Sequence, residues 1–170
     1  MKSHPGGAGH TRSLLASAAL PKGSRVLDLG AGAGESLELL RNAGYEVEGI
    51  DLAPRSALVS PGDLLHTGFP DECFDAVLSQ CAFFLSGDVA GALNESRRVL
   101  KDGGLLLLSD VFLQNPTSLL EKVGFRILQA EEQTDEWKDY YLSALWNGED
   151  CGIVPPRGKY RYWTLIGRKE

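Results

Sequence analysis

Three glycines alternate between an acid and a helical pattern in Asp28-Leu29-Gly30-Ala31-Gly32-Ala33-Gly34-Glu35. Glycines in that rhythm let a backbone turn tightly and lie directly against a ligand, which a Cβ would block. A second acid, Asp51, closes the next apolar run, Val47-Glu48-Gly49-Ile50-Asp51. It stands roughly 20 residues past the turn, the spacing at which an acid at the tip of a second strand can grip ribose hydroxyls. A nicotinamide-dinucleotide site would carry Gly-x-Gly-x-x-Gly and usually no acid just before it; here the order is Asp-Leu-Gly-x-Gly-x-Gly. No Gly-Lys-Ser/Thr occurs, so a P-loop is excluded.

The elements around these residues set where they can act. Thr11 is placed to cap a helix running to Leu20, and Pro21-Lys22-Gly23 ends it. Strand one spans Arg25 to Leu29. The helix after the glycines carries Leu37, Leu39, Leu40 and Ala43, and Gly44 stops it. Strand two covers Glu46 to Ile50 and strand four Phe74 to Gln80. Asp88 caps a helix to Leu100, Lys101-Asp102-Gly103-Gly104 turns the chain, and Leu105 to Phe112 reads as a strand buried on both faces. A short helix, Ser118 to Val123, precedes strand six at Arg126 to Glu131. Residues 135–147 form an amphipathic helix, Gly148 to Pro156 a loop, and Tyr160 to Gly167 a final antiparallel strand.

Such an alternation predicts a doubly wound α/β/α sheet of about seven mostly parallel strands. Ligands then lie outside the carboxyl ends of the strands, at the switch point between strands one and four. That geometry collects Gly30 to Gly34, Asp51, Asp63, Ser79 to Cys81, and Asp110.

The motif Asp28-Leu29-Gly30-Ala31-Gly32-Ala33-Gly34 resembles motif one of the class I S-adenosylmethionine-dependent methyltransferases, type 11-like. Gly49-Ile50-Asp51-Leu52 resembles the second motif and Gly62-Asp63-Leu64 the third. Phe74 to Ser79 resembles strand four, and Arg98 to Leu107 the helix–turn–strand-five signature. The resemblance implies S-adenosyl-L-methionine as cofactor and S-adenosyl-L-homocysteine as product. It implies a site formed by Asp28, Gly30, Ala31, Gly32, Gly34, Asp51, Leu52, Asp63, Leu64, Ser79 and Gln80. In it Asp51 would hold the ribose, Asp63 and the Leu64 amide the adenine, and Gly30 and Gly32 the methionine side. Residues 1–21 would serve as an N-terminal lid and helix, 22–112 as the cofactor half and 113–170 as the substrate side of one domain.

Two stretches depart from that pattern. Between Asp51 and Gly62 only Leu52 to Pro61 is available, with two prolines, so a short turn of helix and a stunted third strand are expected. After Phe112 the chain goes straight to the short helix, leaving out the substrate-recognising segments that relatives often insert there. These departures motivate an alternative, a non-catalytic cofactor-binding module completed by a partner protein.

Methyl transfer from a sulfonium needs positioning and exclusion of water more than a catalytic triad. If the acceptor is an alcohol or an ammonium ion a base is required, and His10 and Asp110 are the candidates. Cys81, at the end of strand four, is either a small buried filler or a thiol that holds the acceptor. Ser79 to Leu85 with Leu108 to Phe112 is similar to the arsenite methyltransferase branch, and there Cys151 would be a second thiolate. Cys73 lies seven residues before strand four ends, about 20 Å away, and cannot join them. Phe83, Phe84, Trp137, Tyr140, Tyr141 and Trp146 could line a small-molecule pocket, though the usual expectation for such spacing is core.

Composition narrows the partners. A net charge of −6 leaves no basic platform for nucleic acid. No apolar stretch is long enough to span a bilayer. Three scattered cysteines suit a reducing cytoplasm. No metal cluster is expected, and the expected partner is a small-molecule substrate.

Overall fold

Strands that are apolar on both faces stay in water only if helices cover both sides of the sheet. The computed structural model describes residues 4–148 and 159–170. Its elements are α1 (Gly7–Ala18), β1 (Arg25–Leu29), α2 (Glu35–Asn42), β2 (Glu46–Asp51), β3 (Ser60–Pro61) and β4 (Phe74–Gln80). A 3-10 turn (Phe84–Ser86), α3 (Val89–Val99), β5 (Leu100–Phe112) and α4 (Thr117–Val123) follow. The chain ends with β6 (Phe125–Glu132), α5 (Thr134–Trp146) and β7 (Arg161–Lys169).

The sheet order is β3-β2-β1-β4-β5-β7-β6. Strands β1 to β5 pair in parallel, and β7 runs antiparallel to both β5 and β6. This is a Rossmann-like, doubly wound sheet, and its order reverses between β1 and β4. Leu105 and Leu107 of β5 pack with Leu14 and Leu15 of α1 and Leu40 of α2. Leu106 and Leu108 face the other way, toward Ala92 and Leu93 of α3 and Leu120 of α4. The period-2 pattern of one strand thus feeds two helical layers.

Several boundaries differ from the sequence expectation. Helix α1 starts at Gly7, and Thr11 is not its cap but lies one turn inside it. That side chain is 1% exposed and donates to Gln80 Oε1 at 3.0 Å. A polar partner on the sheet outweighs the capping preference. Strand β5 starts at Leu100, opposite Phe74, and the register slips before Ala76. The glycines at 103 and 104 sit in this irregularity instead of ending the element. The link after Asp51 forms no helix and only the two-residue β3. Helix α5 is built into the connection between β6 and β7. The expected loop from Gly148 to Pro156 and Cys151 lie almost wholly outside the described residues. No described helix is long and apolar enough to cross a membrane.

A buried carboxylate fixes the approach to β4. Glu95, 9% exposed on α3, accepts from Thr67 N at 2.8 Å, Thr67 Oγ1 at 2.7 Å and Arg98 at 2.7 Å. Arg98 also reaches Asp71 at 2.6 Å. The Arg98 hydrogen bond holds the Glu95 carboxyl at about 2, below its ordinary 4.5. A depressed carboxylate contributes stability above its unfolded pKa and loses it as pH falls through its folded one. Glu95→Gln is therefore expected to cost about 1–3 kcal/mol in urea denaturation at pH 7. The gap from the parent protein should shrink as pH falls from 4.5 toward 2; a gap independent of pH would refute the role.

Candidate active site

The loop from Gly30 to Gly34 must turn from a parallel strand into a helix within four residues. Gly30 has φ 81, a left-handed conformation that a side chain resists, and a Cβ there would overlap the Ala82 side chain. The bare face of Gly30 thus admits the loop that follows β4. Gly32, φ 54, presents its bare face to the Arg55 guanidinium. The loop's amides are spent inside the protein. Gly30 N and Ala31 N donate to Ile50 O at 2.9 and 3.1 Å, and Gly34 N to Ala31 O at 2.8 Å.

Asp51 ties this loop to the tip of β2. Its Oδ2 accepts from Gly32 N at 2.9 Å and its Oδ1 from Ala53 N at 2.8 Å. Each oxygen keeps a further lone pair on its half-buried side. Asp63 accepts from Leu65 N at 2.8 Å through Oδ1. Among the described residues the Leu64 N–H has no intramolecular acceptor. Gly30, Asp51, Leu52, Asp63 and Leu64 surround a cavity of about 370 Å³, completed chiefly by Ile50, Gly62, Ala82 and Leu85. That volume suits a small-molecule cofactor. Two free carboxylate edges and a free amide fit the hydroxyls, amino group and ring nitrogen of an adenosine.

The remaining expected cofactor residues stand outside this cavity. Asp28 is 3% exposed at the end of β1 and accepts from the Ser36 hydroxyl in the first turn of α2. Burial pushes its carboxyl up to about 7, against the Ser36 hydrogen bond. Ala31 packs with Leu37 and Val59. The hydroxyl of Ser79, 0% exposed, donates to Leu29 O at 2.9 Å. Gln80 faces α1, and its buried Nε2 has no partner among the described residues.

A second, narrow pocket of about 10 Å³, lined by Cys81, Phe84, Leu85, Asp110, Val111, Trp137 and Tyr141, shares Leu85 with the cavity. Cys81 has φ 58, and its thiol lies 3.8 Å from the Tyr162 hydroxyl. Burial and the Asp110 charge push that thiol well up, so it is held protonated. Asp110 is 1% exposed. It accepts from Val111 N at 2.8 Å and Phe84 N at 3.1 Å, which pins the turn after β4. Burial lifts its carboxyl to about 6 despite these amides.

His10 lines neither space. Its Nε2 lies 2.9 Å from Ser109 Oγ and 3.3 Å from Thr164 Oγ1, and burial lowers its pKa. Of the six aromatics singled out in the sequence, Phe84, Trp137 and Tyr141 line the pocket. Phe83 is buried core and Trp146 is 92% exposed. Ala82, Leu85 and Ser86 were not anticipated; they belong to the turn after β4, whose only sequence signal is the Gly87-Asp88 stop.

A family model described as a methyltransferase domain matches residues 27–108, the stretch holding the glycine loop, Asp51, Asp63 and the β4 turn. The chain belongs to the class I S-adenosylmethionine-dependent methyltransferases. The cofactor that goes with this membership is S-adenosylmethionine. It is 35% identical over 168 residues to 2-methyl-6-phytyl-1,4-hydroquinone methyltransferase of Synechocystis sp., covering 86% of this chain and 51% of that one. It is 32% identical over 123 residues to the arsenite methyltransferase of Aquipseudomonas alcaligenes, covering 58% and 36%. Haemonchus contortus phosphoethanolamine N-methyltransferase 2, in complex with S-adenosyl-L-methionine, superposes with a TM-score of 0.77 at 19% identity, over 98% of this chain and 53% of that one. The chain spans about half the length of the curated relatives it matches.

Asp28 offers a clean test of the loop's electrostatics. Its folded pKa of about 7 exceeds the ordinary 3.8, so the folded chain keeps a proton that the unfolded chain has lost. Stability then falls as pH rises from about 4 to about 7. Asp28→Asn should remove that decline in Tm while keeping the Ser36 contact; an unchanged pH dependence would place the ionisation elsewhere.

Proposed function

We propose that this methyltransferase moves the methyl group of S-adenosylmethionine to a small-molecule acceptor held beside Cys81. The observation that carries this is the shared Leu85 wall, which sets the cavity of Asp51, Asp63 and Leu64 directly against the aromatic pocket. The cofactor supplies a methyl group already activated on a sulfonium. The protein's own residues orient the two molecules and keep water out.

In this reading the remaining lone pairs of Asp51 take the ribose hydroxyls, Asp63 accepts from the adenine amino group, and the Leu64 N–H meets a ring nitrogen. Gly30 stands toward the methionine side. Residues 22–112 then hold the cofactor, 113–170 face the acceptor, and α1 closes the same end of the sheet. The wall that Trp137 and Tyr141 add from α5 supports an enzyme over a module awaiting a partner. A protonated Cys81 speaks against a two-thiolate arsenite site.

Calorimetric titration with S-adenosylmethionine and S-adenosylhomocysteine, beside NADH, tests the cofactor half. Binding of the first two at micromolar levels and none of the third is expected. Asp51→Ala should weaken S-adenosylhomocysteine at least about tenfold, about 1.4 kcal/mol. Unchanged affinity would remove the ribose assignment.

A further inference from the structure

We propose that the methyl acceptor is an amine nitrogen carried on an apolar body, received by the pocket between the turn after β4 and α5. The inference rests on the methyl-transfer reading above and adds the class of acceptor to it.

Charge restricts the candidates first. The lining of the two adjoining spaces includes Asp51, Asp63 and Asp110, and no Lys, Arg or His among the described residues. Carboxylate and phosphate acceptors would enter against like charge at short range. The pocket wall instead presents the rings of Phe84, Trp137 and Tyr141 next to the Asp110 carboxylate. A wall of rings that includes a carboxylate favours an ammonium group over an anion.

Proton transfer restricts them further. Alcohols, phenols, thiols and acidic carbons must give up a proton before or during attack. Asp110 is fully buried and already accepts Val111 N on one oxygen and Phe84 N on the other, hydrogen bonds that favour its charged form over taking up a proton. The Cys81 thiol is turned to the Tyr162 hydroxyl. His10 is bonded to Ser109 and Thr164, outside both pocket walls. A neutral amine needs none of these groups, because it carries its own lone pair.

Size completes the match. About 10 Å³ accepts roughly one water-sized group, the size of a terminal NH2 and far less than a ring. The pocket therefore receives the reacting end, and the apolar body extends past Leu85, which is 60% exposed at the mouth. An ammonium ion drawn in by the wall first loses a proton to solvent. The nitrogen lone pair then forms the N–C bond as the C–S pair stays with sulfur. The positive charge passes from sulfonium to nitrogen, and the methylammonium product releases its surplus proton to water.

The test uses the full chain and four compounds with one body: 2-phenylethylamine, 2-phenylethanol, 2-phenylethanethiol and 3-phenylpropanoate. Each is titrated calorimetrically into protein saturated with S-adenosylhomocysteine, and each is offered with S-adenosylmethionine while product is followed. The amine is expected to bind at least tenfold more tightly than the carboxylate and the alcohol, and to be the one methylated. Its kcat/KM should rise about tenfold per pH unit below the amine's own pKa. Absent binding of the amine, equal or tighter binding of the carboxylate or alcohol, or turnover of the alcohol or thiol at the amine's rate would overturn the proposal. Failure of S-adenosylhomocysteine to bind at the outset would instead defeat the methyl-transfer reading itself.

Discussion

Two loops from neighbouring parallel strands have to stand at a fixed separation for anything to lie between them, and the Asp51 carboxylate sets that distance. It bonds at once to the amide of Gly32, in the loop after β1, and to that of Ala53, in its own loop. Hydrogen bonds to a charged acceptor are among the stronger ones available. The main chain adds its own stitch, with the Gly30 and Ala31 amides converging on Ile50 O. The glycine loop is thereby held rigid before any ligand arrives, and little ordering remains to be done on binding. A carboxylate that serves the scaffold with one lone pair of each oxygen can offer the other to a ligand.

The same economy appears on the far side of the crevice. Asp110, on β5, accepts the Phe84 amide of the turn after β4 and the Val111 amide of its own strand. The Ala82 methyl of that turn fills the space left by Gly30, so the two walls meet where a side chain at position 30 would collide with it. Asp28 plays a similar part below the loop, joining β1 to the first turn of α2 through Ser36. Three acids that a sequence scan groups as ligand contacts thus divide differently in space. Asp51 is both scaffold and lining, Asp110 is pocket wall and turn anchor, and Asp28 is scaffold alone.

The fold and part of the candidate cleft are legible in the sequence because strand periodicity and glycine spacing are local signals. β1, β2, β4 and the run from Leu105 to Phe112 follow from apolar stretches of strand length. Asp51, Leu52, Asp63 and Leu64 follow from their places at strand ends. Thr11 was misplaced as a cap because its partner, Gln80, lies 69 residues away and no local rule reaches that far. His10 offered a similar trap, since an imidazole near an N-terminus says nothing about Ser109 and Thr164. The aromatic sorting was equally out of reach: Phe83 and Phe84 are adjacent, yet only the second meets the pocket.

Helix α5 interrupts a pair of antiparallel neighbours, so the chain leaves the sheet at Glu132 and returns at Arg161 one strand over, about 5 Å away. The ends of such an excursion are set by the sheet whatever lies between them. Through Trp137 and Tyr141 the segment walls the aromatic pocket, while among the described residues it adds nothing to the lining of the larger cavity. A chain built this way can reshape the wall of one space by altering a single stretch while the other space keeps its lining.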